Sequence, residues 1–145
     1  MNTRPTLARL CSLLALLALS ACQLLPTRSD CPSGADLSAE MLQSEWVVQV
    51  AGEAPWALHL GPHPEHPGSL RGELTQGQQR HAVVADLDDG EFTLEESHDG
   101  KRIAATWLGS LPARACGRQI QGQRVGAGQA SQSFQMTRTP SGPMC

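Results

Sequence analysis

The sequence predicts an all-β fold: a small antiparallel up-and-down barrel of about eight strands, preceded by a short helix. Three observations lead there. Beyond residue 44, apolar side chains recur with period two in eight short runs, the rhythm of strands that bury one face and wet the other. Asp89-Gly90 and Asp99-Gly100 fall between runs, and such dipeptides favour tight hairpins. No helical pattern interrupts the series, and closing a meander on itself removes the edges that an open sheet would expose. An open sandwich is the alternative.

Taken in order, Asp36-Leu37-Ser38-Ala39-Glu40-Met41-Leu42-Gln43 fits a helix of about two turns, with Asp36 or Ser38 as N-cap. The first strand run, Trp46 to Val50, aligns Trp46, Val48 and Val50. In the second, Trp56, Leu58 and Leu60 alternate with Ala57 and His59. Leu70 and Leu74 share a face in the third, opposite Arg71 and Glu73. The fourth runs from Arg80 to Leu87, and the fifth from Glu91 to Ser97 with Phe92 and Leu94 inward. Glu96 continues that inward face, a carboxylate placed at the barrel mouth or at a solvated strand end. The sixth, Arg102 to Leu108, aligns Ile103, Ala105 and Trp107. Gln119 to Arg124 around Ile120 forms a weaker seventh, and Phe134 with Met136 marks the eighth.

Length and composition narrow the function classes. The 145 residues suffice for one small domain. Eleven basic residues face 14 acidic ones, a net of −3, which argues against a nucleic-acid partner needing a basic stripe. Aromatic content is 3% with no tyrosine, so stacking platforms for bases are scarce. The three tryptophans, Trp46, Trp56 and Trp107, all sit on inward faces and read as core filling.

Residues 1–21 read as a targeting segment. Arg4 and Arg9 precede an apolar run from Leu10 to Ala21, too short to span a hydrocarbon core but suited to a signal peptide. The run ends in Leu19-Ser20-Ala21-Cys22, which resembles the lipobox of bacterial lipoproteins. The resemblance implies cleavage before Cys22, a thioether-linked diacylglycerol on it and acylation of the new N-terminus. Several acyl chains anchor a protein to a membrane without a transmembrane helix. Gln23 follows the cysteine where aspartate would imply inner-membrane retention, so the implied location is the outer membrane with the body facing the periplasm. On that reading the mature chain holds 9 basic and 14 acidic residues, a net of −5. Residues 22–36 form the lipidated N-terminus and tether, 37–138 the barrel and 139–145 a flexible tail.

With Cys11 removed and Cys22 lipidated, Cys31, Cys116 and Cys145 enter an oxidising compartment, where one disulfide is expected. Alternating strand directions place all three at one rim, so rim position does not choose among their pairings. Cys31–Cys116 is preferred, because Cys116-Gly117 abuts a strand whereas Cys145 ends a loose Thr-Pro-Ser-Gly-Pro-Met-Cys tail.

Three segments carry residue types suited to chemistry. His63, Glu65 and His66, with His59, offer zinc or copper ligands. A site needs about four convergent ligands, however, and the surrounding Pro62, Pro64, Pro67, Gly61 and Gly68 explain an exposed loop. No metal site is therefore expected. Asp86-Leu87-Asp88-Asp89-Gly90-Glu91 resembles a calcium loop, but glycine falls at position five and Ser97 occupies position twelve, so a hairpin turn is expected. Ser97-His98-Asp99 holds triad residue types, yet neighbours on a strand point to opposite faces. Glu95 and Glu96 diverge for the same reason. No catalytic residues and no cofactor are expected.

The turn into Ser44-Glu45-Trp46 resembles the opening of lipocalin-like barrels, whose motif is Gly-x-Trp; serine replaces the glycine here. Leu37-Ser38-Ala39 followed by Trp46-Val47-Val48 and Trp56-Ala57-Leu58-His59-Leu60 is also similar to small barrel inhibitors of secreted bacterial metalloproteases. Those carry a cysteine where this chain has Trp56. The expected function is a membrane-anchored binding or interaction module for an envelope protein or small ligand. The alternative is an inhibitor of an envelope-attacking protease or lysozyme.

Overall fold

A computed structural model describes residues 31–140. The lipobox and Cys145 lie outside the described residues. Eight strands form a closed antiparallel barrel in sequence order: β1 (Ser44–Val50), β2 (Trp56–Pro62), β3 (Leu70–Gln76), β4 (Gln79–Asp88), β5 (Glu91–Ser97), β6 (Ala105–Ser110), β7 (Gln119–Gly126) and β8 (Gln132–Arg138). The seam is the antiparallel pairing of β1 with β8, Val48 opposite Met136 and Val50 opposite Phe134. The expected up-and-down barrel is the observed one.

Period two holds along the strands. Trp46, Val48 and Val50 point inward on β1, Trp56, Leu58 and Leu60 on β2, and Phe92, Leu94 and Glu96 on β5. Trp46 and Trp107 are the largest fully buried side chains, and Trp107 meets Phe134 edge-on at 5.0 Å. In β6 the alternation begins later than the sequence suggests. The strand starts at Ala105, and Ile103 lies outside it, 54% exposed.

Two inward positions are glycine because neighbouring backbone passes there. A Cβ at Gly72 would overlap the His59 carbonyl oxygen, and one at Gly122 the Leu108 carbonyl oxygen. Glycine in a strand interior marks such close approach at a barrel bend. Gly122→Ala is expected to cost about 1–3 kcal/mol in urea melts through overpacking. Gln123→Ala, on the neighbouring exposed position, should leave the midpoint unchanged.

The turns divide into two rims. At one, Asp89 (φ 47°) and Gly90 (φ 82°) join Asp88 to Glu91 as a two-residue hairpin, both central residues having the positive φ of a type I′ turn. This turn, not a calcium loop, accounts for the acidic run. The Asp99-Gly100 dipeptide does not make a tight hairpin. Glu96 pairs with Ala105, so Asp99 belongs to a longer loop at the opposite rim.

The segment before β1 departs from the expected helix. Residues Gly34–Asp36 and Ala39–Leu42 form two separate 3₁₀ turns, with Leu37 and Ser38 extended between them. Neither N-cap residue, Ser33 nor Ser38, makes a side-chain cap hydrogen bond. So short a helix is costly to nucleate, and packing decides the path instead. Leu37, Ala39 and Leu42 are buried, and the Ala39–Leu42 turn packs against β2 and β4. The indole of Trp46 donates to the Leu42 carbonyl at 3.0 Å. Nearby, Cys31 and Cys116 sit at disulfide distance, Cα–Cα 4.6 Å, joining residues 85 apart. This rim is therefore stapled and plugged.

Candidate functional site at the distal rim

The rim opposite the disulfide is formed by the β1–β2, β3–β4, β5–β6 and β7–β8 turns. Its centre is Glu96, whose side chain is fully buried although charged. The alternation that turns Phe92 and Leu94 inward turns Glu96 inward too. On β4 the same rule aligns His81 with Val83 and Ala85, and on β7 it aligns Arg124 with Ile120. Three inward polar residues at the same end of three strands thus converge.

The Glu96 carboxylate is heavily hydrogen-bonded. Oε2 accepts from the Trp107 indole at 3.0 Å and from Arg124 Nε at 3.1 Å. Oε1 accepts from Arg124 Nη2 at 3.3 Å and faces His81 Nδ1 at 2.8 Å and His98 Nε2 at 3.1 Å. An ionised carboxylate only accepts, so each facing ring nitrogen carries a proton here. Burial pushes the Glu96 pKa up, but donation and charge from Arg124, with His98 and Trp107, outweigh it and hold the carboxyl below its ordinary value.

A second layer surrounds this pair. Arg124 Nη1 donates to Gln132 Oε1 at 3.1 Å and lies 4.0 Å from Glu53 Oε1. Glu53 accepts from Gln132 Nε2 at 3.0 Å and from the Trp56 indole at 2.9 Å. The guanidinium also stands 5.4 Å from the Trp107 ring centroid. His81 stacks between partners: its ring lies 5.3 Å from Trp56 and 4.0 Å from His98. The network closes the distal mouth.

The other residues singled out in the sequence lie apart from this cluster. His63 Nδ1 accepts the backbone N–H groups of Glu65 and His66 at 3.1 and 3.2 Å, which makes it a turn cap. His59 pairs with Glu45 on the outer surface. Ser97 and His98 do not form a nucleophile–base pair: Ser97 Oγ donates to Asp99 at 3.2 Å while His98 turns to Glu96. Asp99 caps the β5–β6 loop, accepting from the Lys101 and Arg102 amides at 2.9 and 2.8 Å. Backbone donation from Arg102 and then Lys101 lowers its pKa to about 2. Asp99→Ala is expected to speed amide exchange at Lys101 and Arg102 with little change in global stability. In the wild type the protection of these amides relative to a free peptide should fall on acidification, as pH falls from 3.8 through about 2.

At the stapled rim, Arg138 lies 5.2 Å from the Trp46 ring centroid. Its Nε and Nη2 are buried without a hydrogen-bond partner. Burial, then the neighbouring charge of Arg118, lowers its pKa.

No known protein family matches the chain, and no curated protein matches it.

Proposed function

We propose that this chain is a lipoprotein of the bacterial envelope, anchored in the outer membrane through Cys22 and facing the periplasm, whose barrel is an interaction module. The observation that carries the module reading is the filled interior. Trp46, Trp107, Phe92 and the inward leucines occupy the barrel axis, while the 3₁₀ turns and the Glu96 network cover its two ends. Carriage of a small ligand inside a barrel needs a cavity; a solid barrel recognises partners from outside.

The outer surface suits that role. A groove of about 560 Å³ running across β6, β7, β8 and β1 has Gln49, Gln121, Gln123 and Gln135 in its lining, uncharged groups that both donate and accept hydrogen bonds. A proximity pull-down from intact envelopes tests the reading. The expected result is one envelope protein recovered with the wild type and lost when Gln121 and Gln135 are replaced by lysine. Recovery that ignores those substitutions removes the groove from the reading. Stoichiometric block of a metalloprotease or lysozyme by the purified chain would replace the module with an inhibitor. The anchor has its own test: fatty-acid incorporation that disappears in Cys22→Ser.

A further inference from the structure

We propose that His81, His98 and Glu96 bind one divalent transition-metal ion of the zinc or copper(II) class at the distal mouth. The inference goes beyond the interaction-module reading and stands without it. The facing atoms of the three side chains, one from each, all lie within 4.8 Å of one another. Two imidazoles and a carboxylate are a donor set suited to these ions.

The present hydrogen bonds show how an ion enters. Glu96 Oε1 has three donors, His81, His98 and Arg124, one more than its two in-plane lone pairs hold well. A cation replaces the two imidazole N–H groups with one centre, and each ring moves its proton to its other nitrogen. Oε2 keeps Trp107 and Arg124 Nε, outer partners that fix the carboxylate's orientation. Besides the two imidazole bonds that the ion replaces, only the longest contact, Arg124 Nη2 at 3.3 Å, is given up.

Charge also permits it. Arg124 lies between two carboxylates, Glu96 and Glu53, so with neutral imidazoles this group carries a net of −1. As the ion takes Oε1, the guanidinium pivots about its retained Nε bond and brings Nη1 closer to Glu53, already 4.0 Å away. His98 is about half exposed, which gives the ion a path from solvent and leaves a coordination position for water or a partner's ligand atom.

The test uses the full chain in mild detergent, titrated with Zn²⁺ by calorimetry and with Cu²⁺ by tryptophan quenching. Trp56 and Trp107, both in contact with the cluster, supply the optical signal. One ion per chain is expected, and His98→Ala should weaken binding roughly tenfold or more. Replacing both His63 and His66 by alanine should leave affinity within about twofold, because their loop lies outside the cluster. Zinc should raise the melting temperature of the wild type but not of His98→Ala, whose metal-free urea midpoint reports that the fold is intact. Should that midpoint fall, His98→Gln takes its place under the same expectations. Absence of saturable binding overturns the proposal. So does binding that survives loss of the His98 imidazole, or that is lost with His63 and His66.

Discussion

Replacing Glu96 by alanine is expected to destabilise the barrel by about 3–5 kcal/mol, the usual cost of leaving one partner of a buried ion pair alone. The substitution takes from Arg124 its closest carboxylate, leaving only Gln132 and the more distant Glu53, and removes the acceptor for the Trp107 indole. Against a total stability of about 5–15 kcal/mol for such a domain, that is a large share. Urea titration followed by tryptophan fluorescence measures it, since the tryptophans report the interior. Replacing Glu96 and Arg124 together by leucine should recover part of the loss, because no unpaired buried charge remains. A Glu96→Ala midpoint equal to wild type would mean that the network is not a stabilising closure.

Acid should produce a milder form of the same loss. The folded pKa of Glu96 lies below its ordinary value of 4.5, so ionised Glu96 favours the folded state. Its contribution is complete above that value and is lost as pH falls through the lowered folded pKa. In chelator-treated protein the wild-type urea midpoint should therefore fall below pH 4.5. Glu96→Gln should show a flatter acid limb.

The second large effect is expected from the staple. Cys116→Ser releases a crosslink between residues 85 apart, and loss of a native disulfide from a small domain costs about 2–5 kcal/mol. Reductant should lower the wild-type unfolding free energy in urea by a similar amount and leave Cys116→Ser unaffected. Non-reduced peptide mapping checks the pairing directly. A peptide joining Cys116 to Cys145 in place of Cys31 would overturn it.

The strands were the most legible part of this protein. Alternating burial is a local property: Trp46, Val48 and Val50 lie close in sequence because they share one pleated face. The tight Asp89-Gly90 turn is equally local, since its two positive φ angles favour those residue types. The first segment departs from its sequence expectation for a physical reason. Its apolar spacing suits a helix, yet the same leucines are buried when two 3₁₀ turns lay them over the barrel end. There tertiary burial overrides local propensity.

The distal cluster was half legible. Glu96 stood out on an inward face, and His81 and Arg124 obeyed the same period-two rule at the same end of their strands. That pattern of inward polar residues was the available signal, whereas the histidine-rich loop at 63–66 drew attention by density alone. Glu53 and Gln132 carried no such signal. They sit 79 residues apart and meet because β1 and β8 close the barrel.

By itself, then, the chain's alternation of apolar and polar residues determined the strands, their inward faces and the order of a meander, all set by backbone geometry over a few residues. Its first 22 residues carry, through a local motif, the proposal of an envelope lipoprotein. Only the tertiary structure decided that Cys31 meets Cys116, that the leading turns plug one end, and that four polar side chains converge on one carboxylate at the other. Barrel closure brings distant positions within hydrogen-bonding distance, and burial makes their pairing energetically necessary.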